Sequence, residues 1–523
     1  MGASIGNIDI AIIIGYFIIV LMIGFYVGRK AKTGEDLFLG GRSLTWGFIG
    51  LSLFASNISS TSLIGLSGAA YTSGIVQSVY EWGQVIPFAV LAMIYVPLYL
   101  KAKITTIPEF LELRFDRRSR VFFSALTIVA SILIDTAGSL YAGALVIQIF
   151  FPSIELWQTC AVLALITGVY TAFGGLKAVV YTDALQAVIL IAGSSALAYL
   201  MFEKLDFSWA NMVAAAPEGH FSVVRPINDP DLPWPGLILG VPMMGFWYMA
   251  TNQYITQRIL GAVDVKNARW GIMLAATLKF LPLFIMVLPG AMAISIYTGI
   301  ENQDMVFPTM VVNALPVGLI GLVLAGLVSA IMSSISSTLN SASTLVVVDF
   351  LKPGMPDLSE RQVVRYSRMV TFFFMVVAAV WAPQIIEFGG LWAYLQQMYS
   401  IFVPPVIVLF TVGILYKRGN ADGAFITLLA GCGIGILLFA MDLLGYWPVH
   451  FTINVGIVIA LCSIIFVEVS KRTAPPDYER IGPFLYSKDL VQEGNRDLPW
   501  YKDYRYHIGV LMVLFVMSYY FLW

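Results

Sequence analysis

The sequence is dominated by long apolar segments that alternate with short polar ones. Fourteen of them reach about 20 residues, the length of a helix that crosses the hydrocarbon core of a bilayer. Apolar and aromatic residues make up 59% of the chain and charged residues 12%, which is too apolar for a soluble protein. We therefore predict an all-α polytopic membrane protein with 14 transmembrane helices. The predicted spans are 9–28, 46–72, 77–99, 121–150, 156–174, 180–202, 237–258, 270–298, 315–349, 366–383, 388–413, 421–443, 449–470 and 506–523.

Basic side chains give the predicted orientation, because loops rich in Lys and Arg resist translocation. With the N-terminus outside, 27 of the 30 Lys and Arg residues fall in inner loops, two fall in outer loops, and Lys279 lies within a span. Miscounting one span would invert every later loop and destroy this asymmetry. We therefore expect a multi-pass protein of the cell (inner) membrane with both termini outside.

Other classes of function find no support in the sequence. The formal net charge of −1 gives no basic field for nucleic acid, and no glycine-rich phosphate loop ending in Lys-Ser or Lys-Thr is present. The three histidines are scattered, and none lies deep in a span where it could act as a catalytic base. We expect no enzyme activity and no obligate protein partner, which leaves an ion gradient as the energy source.

Two spans contain clusters of small polar residues. In the second span, six of the seven residues from 56 to 62 are polar, and such side chains compete with the helix for backbone hydrogen bonds. This stretch is expected to unwind and free its carbonyl groups; the alternative is a kinked or tightly packed helix. In the ninth span, Ala330, Ser333, Ser334 and Ser337 share one helical face. Hydroxyls opposite free carbonyls would form an oxygen cage for a monovalent cation such as Na+; the alternative is a packing face.

A second cation site is suggested by Asp183, which begins the sixth span, together with the hydroxyls of Ser336 and Ser337. The alternative is an acidic residue stabilised by the dipole at a helix N-terminus.

Several spans also carry polar side chains that can bind a hydroxylated solute. Carboxylate, amide and ammonium groups both donate and accept hydrogen bonds, and aromatic rings stack on a sugar, so the mixture suits a neutral polyol. Glu81 and Lys279 can alternatively form a structural ion pair, and Arg258 is interpreted as an anchor at the inner membrane surface. The polar candidates are Glu81, Gln84, Asp135, Asn252, Gln253, Lys279, Gln396 and Gln397.

The same motifs resemble the sodium/solute symporter family, most of all its bacterial sodium/galactose (sodium/glucose) branch. The matching stretches are 55–68, 80–82, 106–110, 181–183, 252–254, 257–258, Lys279 and 333–343. The resemblance implies a leucine-transporter-like core, an inverted repeat of five helices plus five. The implied divisions are 1–45 (extra helix and inner loop), 46–202 (first repeat), 203–236 (external segment), 237–413 (second repeat) and 414–523 (three further helices).

The resemblance also implies roles for individual residues. The first sodium site would use the carbonyls of Ala55, Ile58 and Ala330 with the hydroxyls of Ser333 and Ser334. The second would use Asp183, Ser336 and Ser337. The implied solute-binding residues are Ser62, Glu81, Gln84, Asp135, Tyr248, Lys279 and Gln396, with Tyr248 as inner gate. The implied outer lid is Leu66, Tyr80 and Trp392.

Departures from the family pattern limit what the resemblance implies. The one-sodium galactose symporter has Ala at the Ser336 position, which favours two sodium ions here. It has other residues at Ser62, Gln84 and Gly245, and Asn at Asp135, so the sugar itself stays open. We predict a sodium-coupled symporter that imports a neutral sugar by alternating access. The alternatives are a symporter of the same fold for an inositol, amino sugar, sialic acid or amino acid, or a polytopic receptor.

Overall fold

The computed structural model describes residues 6–28, 33–150, 153–171, 176–214, 216–355, 357–492 and 499–522. Regular structure in these ranges is helical, apart from one isolated bridge between Leu44 and Ala262. The main helices are α1 (Asn7–Gly28), α2 (Trp46–Asn57), α3 (60–73), α4 (74–102), α5 (Arg117–Gln148), α6 (Leu156–Thr171), α7 (Leu176–Glu203), α8 (234–251), α9 (Gln253–Leu260), α10 (Val265–Ile296), α11 (Leu319–Gly354), α12 (Glu360–Phe388), α13 (Leu391–Leu415), α14 (Ala421–Leu443), α15 (Phe451–Arg472) and α16 (Tyr504–Phe521).

These helices lie over each of the predicted apolar segments. In the described part of the chain, ten helices are long and apolar enough to cross a membrane by length and composition. Part of the difference from fourteen arises because the helix Ser62–Ala102 is counted once although it covers most of α3 and all of α4. The break at Asn252 also divides the predicted span 237–258 between α8 and α9, and neither is among the ten. The chain is thus an all-helical, multi-pass membrane protein, and the count of fourteen crossings stays a prediction.

Two spans are interrupted near their middle. The first breaks between α2 and α3, where Ile58 has ψ 71° and helical geometry resumes at Ser60. The second breaks between α8 and α9 at Asn252, whose backbone is extended (ψ 127°). The side-chain oxygen of Asn252 caps α9 by accepting a hydrogen bond from the N–H of Tyr254. The last carbonyls of α2 and α8 have no partner one turn further on in their own helix. Such irregular backbone is tolerated at membrane depth only inside the protein or beside a cavity.

The helices around the first break form the centre of the bundle. α2 packs against α7 and α10, and α7 packs against α11. The N-terminal helix α1 lies across α7 and α11, and its Asp9 carboxylate accepts the N–H groups of Gly318 and Gly321, each at 2.7 Å, at the start of α11. α11, the helix that carries Ser333, Ser334 and Ser337, therefore packs against both α1 and α7.

Two longer connections lie at one end of the bundle. The segment 204–233 contains the short helix Trp209–Ala214, and the segment 297–318 contains the helix Val306–Ala314. Residues 227–231 and 300–304 from these connections line the same large opening.

Candidate functional site

A wide vestibule enters the protein from the end that carries these two connections. It encloses about 1170 Å³, and Tyr80, Trp392 and Gln396 are among the residues that line it. The same three residues line a smaller cavity of about 60 Å³ in the centre of the bundle. The rings of Tyr80 and Trp392 meet edge to face with centroids 5.5 Å apart. They separate the vestibule from the central cavity, which is the position expected for an outer lid.

Carboxylates are the charged groups that line the vestibule. They are Asp229, Asp231, Glu301, Asp304 and Asp442, and among the described lining residues there is no Lys or Arg. His450 also lines it, and burial lowers its pKa to about 4, so the ring is neutral near pH 7. A cavity with one sign of charge attracts ions of the opposite sign. The vestibule therefore favours entry of cations over anions.

The central cavity brings together most of the predicted solute residues. Six of them line it: Ser62, Glu81, Gln84, Asp135, Tyr248 and Gln396. They come from α3, α4, α5, α8 and α13, so the cavity lies between the two broken spans. A space of about 60 Å³ admits water but is far below the size of typical ligand pockets. The cavity must therefore widen to hold a solute.

Lys279 does not line the cavity but supports it from behind. Its ammonium donates to Glu81 Oε2 at 2.5 Å, and both side chains are 1% exposed. From the sequence, Glu81 and Lys279 can be solute-binding residues or a structural ion pair. The two interpretations are compatible, because Glu81 lines the cavity while it neutralises Lys279. A buried charge without such a partner would be strongly destabilising.

Several buried acceptors at the cavity wall have no hydrogen-bond partner in the described structure. Tyr399 donates to Asp135 Oδ1 at 2.5 Å, which leaves Oδ2 free, and Gln84 donates to the Tyr80 carbonyl at 2.9 Å, which leaves its Oε1 free. Asn57 Oδ1 is also unpaired. Because buried polar atoms are almost always paired, these three acceptors can take donors from water or from a bound solute.

Aromatic side chains close the cavity on the side away from the vestibule. The hydroxyls of Tyr248 and Tyr254 are hydrogen-bonded, and the Tyr248 and Tyr399 rings lie 6.3 Å apart. All three residues line the cavity. Tyr248 is therefore where an inner gate is expected, although its partners were not predicted.

Leu66 is not among the residues that line either cavity. Its side chain has no exposed surface, and the preceding residue, Gly65, packs against the backbone of Trp392. Tyr80 and Trp392 thus form the closure, and Leu66 lies in the packing beneath it. The role of Leu66 as part of the outer lid is implied by the family resemblance alone, and it stays a prediction.

The predicted first sodium site lies at the first break. Ala55 belongs to the last turn of α2, and Ile58 follows directly, so both carbonyls are among those left without an intrahelical partner. On α11, Ala330 is fully buried and Ser334 lines the central cavity. These groups are neutral oxygens, the ligand type that suits a hard monovalent cation.

Asp183 is held by a dense set of donors. Its Oδ2 accepts from Ser52 at 2.6 Å, from Ser56 at 3.2 Å and from Arg258 at 3.0 Å. Its Oδ1 accepts from the hydroxyl of Ser333. Ser333, which belongs to the predicted first sodium site, therefore contacts the carboxylate of the predicted second site, and its hydroxyl oxygen keeps lone pairs that can face a cation.

The interpretation of Arg258 as an interfacial anchor was wrong. The side chain is buried, forms a salt bridge with Asp183, and donates to Ser337 Oγ at 3.0 Å. Its position in the second turn after the Asn252 break brings it between α2 and α11 instead of the membrane surface. The carboxylate of the predicted second sodium site, which also includes the buried Ser336, is thus already matched by a protein cation.

Sequence reasoning missed several residues of this region. Ser52 lies one turn before Ser56, the first residue of the polar run on α2, and Tyr399 lies one turn after Gln396 on α13. Helical spacing alone could have grouped Ser52 and Tyr399 with those predicted residues. Arg258 carried no such signal.

Comparison with known proteins agrees with this geometry. Residues 37–431 match the sodium:solute symporter family. Sodium/glucose cotransporter 4 of Danio rerio is 32% identical over 519 residues, which cover 89% of this chain and 79% of that protein. The chain belongs to the sodium:solute symporter family. It is a sodium-coupled symporter, and the family and these relatives are transporters rather than enzymes.

Further relatives within the family differ in solute. Human sodium/myo-inositol cotransporter 2 is 34% identical over 525 residues, covering 90% of this chain and 78% of that protein. Sodium/glucose cotransporter 1 of Oryctolagus cuniculus is 33% identical over 471 residues, covering 82% of this chain and 71% of that protein.

Solved structures of other symporters share the fold. A sodium-coupled sialic acid symporter in a substrate-bound outward-open state superposes with a TM-score of 0.80 at 23% identity, over 91% of this chain and all of that chain. Mhp1, a nucleobase-cation-symport-1 family transporter in a closed conformation, gives 0.54 at 14% identity, over 88% of this chain and 99% of that chain. At these identities the likeness shows the architecture alone.

Proposed function

We propose that this symporter imports a neutral hydroxylated solute, a hexose or a related polyol such as an inositol, together with sodium. The observation that supports the proposal most is the central cavity, where the unpaired acceptors of Asn57, Gln84 and Asp135 lie beneath an aromatic lid. A polyol presents several hydroxyl donors at once and an apolar ring face for Tyr248. The relatives named for glucose and myo-inositol transport agree with this solute class.

Charge in the cavity argues against an anionic solute. Lys279 is neutralised by Glu81, and Arg258 is neutralised by Asp183. Asp135 retains a free carboxylate oxygen and lines the cavity without an ion-pair partner among the described residues. A carboxylate solute would face this group and find no unpaired cation, so sialic acids and simple organic acids are poor candidates.

Sodium at the first break provides the coupling in this proposal. The ion would join Ala55 and Ile58 of the first broken span to Ala330, Ser333 and Ser334 of α11. The ion would hold the backbone at the first break against α11. It would thereby also order the start of α3, where Ser62 forms part of the cavity wall. Coupling of this kind is reciprocal, so sodium raises the affinity for solute by the factor by which solute raises the affinity for sodium.

The proposed cycle uses the two closures in turn. The vestibule faces outside, consistent with the excess of Lys and Arg in the opposite loops. Sodium and solute enter from it, Tyr80 and Trp392 close over the solute, and the Tyr248 side then opens. In this scheme the divisions 46–202 and 237–413 act as the inverted repeats.

A second sodium ion is proposed at Asp183, Ser336 and Ser337, on condition that Arg258 moves away from the carboxylate. At about 100 mV and a tenfold gradient, each sodium supplies roughly 3.7 kcal/mol, so one ion sustains about 500-fold accumulation and two sustain about 10⁵-fold. The stoichiometry therefore decides how dilute a solute the protein can collect.

The decisive experiment is uptake into proteoliposomes that contain this protein alone. We expect sodium-dependent uptake of a labelled hexose or inositol, competition by other polyols, and no competition by sialic acid or amino acids. Ser334→Ala is expected to abolish sodium-dependent uptake. A protein that accumulates nothing under a sodium gradient, or that prefers a carboxylate solute, would refute the proposal.

The second ion is best tested with Ser336→Ala. Asp183→Ala would strand the buried Arg258 charge and confound the result, whereas no hydrogen bond of the Ser336 side chain ties it to that pair in the described structure. We expect the sodium Hill coefficient to fall from near two towards one. An unchanged coefficient near two would exclude Ser336 from the second site, and a wild-type value near one would remove that site altogether.

A further inference from the structure

Residues 302–304, which we call the outer clamp, join two helices at the edge of the vestibule. Gln303 donates from Nε2 to the Gly389 carbonyl at 2.7 Å, and its Oε1 accepts from the Thr72 hydroxyl at 3.0 Å. The Gln303 carbonyl lies so close to Gly68 that a Cβ at that glycine would come within 2.4 Å of it. The outer clamp therefore ties the end of α3 to the start of α13.

Asp304 completes the outer clamp at the first residue of α13. Its Oδ2 accepts from the N–H of Leu391 at 2.9 Å and from the Tyr141 hydroxyl of α5 at 3.3 Å, and the residue is 1% exposed. Its Oδ1 has no partner in the described structure. A carboxylate at this position satisfies an unpaired N–H and opposes the positive end of the helix dipole. The next residue of α13 is Trp392, which meets Tyr80 above the cavity.

We propose that Asp304 is a positioning residue of the outer gate: by capping α13 it holds Trp392 over the central cavity and thereby sets the apparent affinity for the solute. The inference rests on the proposed function, in which Trp392 is part of the lid. Tyr141 anchors the same carboxylate to α5, the helix that carries Asp135, so one group connects the lid with the cavity wall.

The position of Asp304 also makes the cap sensitive to the pH of the vestibule. Burial raises the pKa of Asp304 to about 6, against the opposing effect of the Leu391 and Tyr141 hydrogen bonds. Tyr141 is the ionisable group that faces it from α5, while α3 and α13 present Thr72, Gly68 and backbone atoms of 389–391. In the described structure no hydrogen bond or salt bridge joins Asp304 to a charged side chain. The other vestibule carboxylates are Asp229, Asp231, Glu301 and Asp442.

The sign of the pH effect follows from this shift. The carboxylate caps α13 above pH 6, and the charge is lost as the pH falls through 6. Because burial disfavours the charged form, the same protonation stabilises the fold. A change in solute affinity over this range therefore reports the cap and not unfolding.

The test compares Asp304→Asn with Glu301→Gln in sodium-driven uptake at saturating sodium. Glu301 is a matched control, because it is an exposed carboxylate that lines the same vestibule three residues earlier. At pH 7.5 we expect Asp304→Asn to raise the KM for solute about threefold to tenfold with kcat preserved. When the pH is lowered from 7.5 to 5.5, the KM for solute is expected to rise by the same factor in wild type and in Glu301→Gln. The KM of Asp304→Asn is expected not to change over this range.

Several outcomes would overturn the inference. They are an unchanged KM in Asp304→Asn, a loss of kcat without a change in KM, or a pH response that persists in that variant. If Asp304→Asn fails to fold, Asp304→Glu provides the measurement, since it keeps the charge and should keep the pH response. Absence of sodium-dependent polyol uptake by wild type would instead refute the proposed function, so the two failures are distinguishable.

Discussion

The two closures of the central cavity differ in how their charges are matched. On the vestibule side, the aromatic pair Tyr80 and Trp392 is supported by the outer clamp, whose one carboxylate, Asp304, has no ion-pair partner in the described structure. On the opposite side, the aromatic floor of Tyr248, Tyr254 and Tyr399 closes the cavity, and a network of paired charges lies beyond it. The segments 103–116 and 297–318 each connect the second and third helices of a predicted repeat, so the predicted repeats would make them equivalent positions.

We call the charged network on the opposite side the inner clamp; it consists of Asp349, Thr106, Ser124, Arg120 and Glu112. Asp349, at the end of α11, accepts from Thr106 at 3.1 Å, from Arg120 at 2.6 Å and from the Ser124 hydroxyl. Arg120 also pairs with Glu112 at 2.5 Å. Three donors from α5 and the segment before it thus converge on one buried carboxylate, and Glu112 pairs with one of them, Arg120.

The second broken span is tied to the same loop. Gln253, the first residue of α9, accepts from the N–H of Ile107 at 2.7 Å and donates to the Thr105 carbonyl at 3.2 Å. A recess of about 570 Å³ on this side is lined by Glu109 and Arg120 and shares no lining residue with the central cavity. The cavity is therefore sealed on this side and meets the vestibule on the other.

This difference in charge pairing indicates which of the two closures opens more easily. Separating a buried ion pair leaves charges uncompensated and is costly, whereas the outer clamp has no ion pair to separate. We infer that the outer closure opens and closes readily around the solute, and that the inner clamp opens only when sodium and solute together supply the free energy.

The largest expected effect comes from breaking the inner clamp with Asp349→Ala. Removing one partner of a buried ion pair lowers stability by about 3–5 kcal/mol. The lower end of this range applies because Arg120 still forms a salt bridge with Glu112 in the variant. We expect sodium-driven uptake to fall at least tenfold. Glu112→Gln is the control, since that side chain is 32% exposed, and it should retain more than half of the wild-type rate. Normal transport by Asp349→Ala would show that this network does not hold the inner closure.

An intermediate effect is expected from the outer lid. Trp392→Ala removes the edge contact with Tyr80, and aromatic pairs contribute about 0.5–1.5 kcal/mol beyond burial. The solute KM should rise about fivefold, measured as initial uptake at saturating sodium. Trp392→Phe retains an aromatic ring and should stay within about twofold of wild type; equal values for the two variants would contradict a role for the ring in closure.

The smallest effect is expected at the cavity floor. Tyr254→Phe deletes the hydroxyl that is bonded to Tyr248, and a neutral hydrogen bond contributes about 1 kcal/mol. We expect about a threefold faster leak of solute from loaded vesicles in the absence of sodium. Tyr446→Phe, at a residue that is 74% exposed, should leave the leak unchanged. A leak no faster than wild type would mean that the rings alone close the floor.

Much of the cavity could be predicted from the sequence because its residues break a local rule. The polar run 56–62 conflicts with a buried helix, and the structure has its first break there. Glu81, Asp135 and Gln396 are polar groups in apolar spans, and hydrocarbon tolerates them only beside a cavity or a partner. Both signals are visible within one span.

The pairing of charges could not be predicted in the same way. Arg258 and Asp183 lie 75 residues apart, and Arg120 and Asp349 lie 229 apart. Nothing in either local sequence says which face of one helix meets which face of another. Arg258, near the end of its span, follows the same pattern as a surface anchor and was interpreted as one.

The sequence alone determined the helical segments, because a backbone in hydrocarbon must satisfy its hydrogen bonds within each segment. It also indicated the first interruption, at the polar run 56–62, whereas the second, at Asn252, appeared only in the structure. Only the tertiary structure decided that Glu81 meets Lys279, that Asp183 meets Arg258, and that the cavity joins the vestibule at Tyr80 and Trp392. Such contacts depend on how each helix is rotated about its axis and how deep it lies in the membrane. Packing between segments that are distant in sequence sets both.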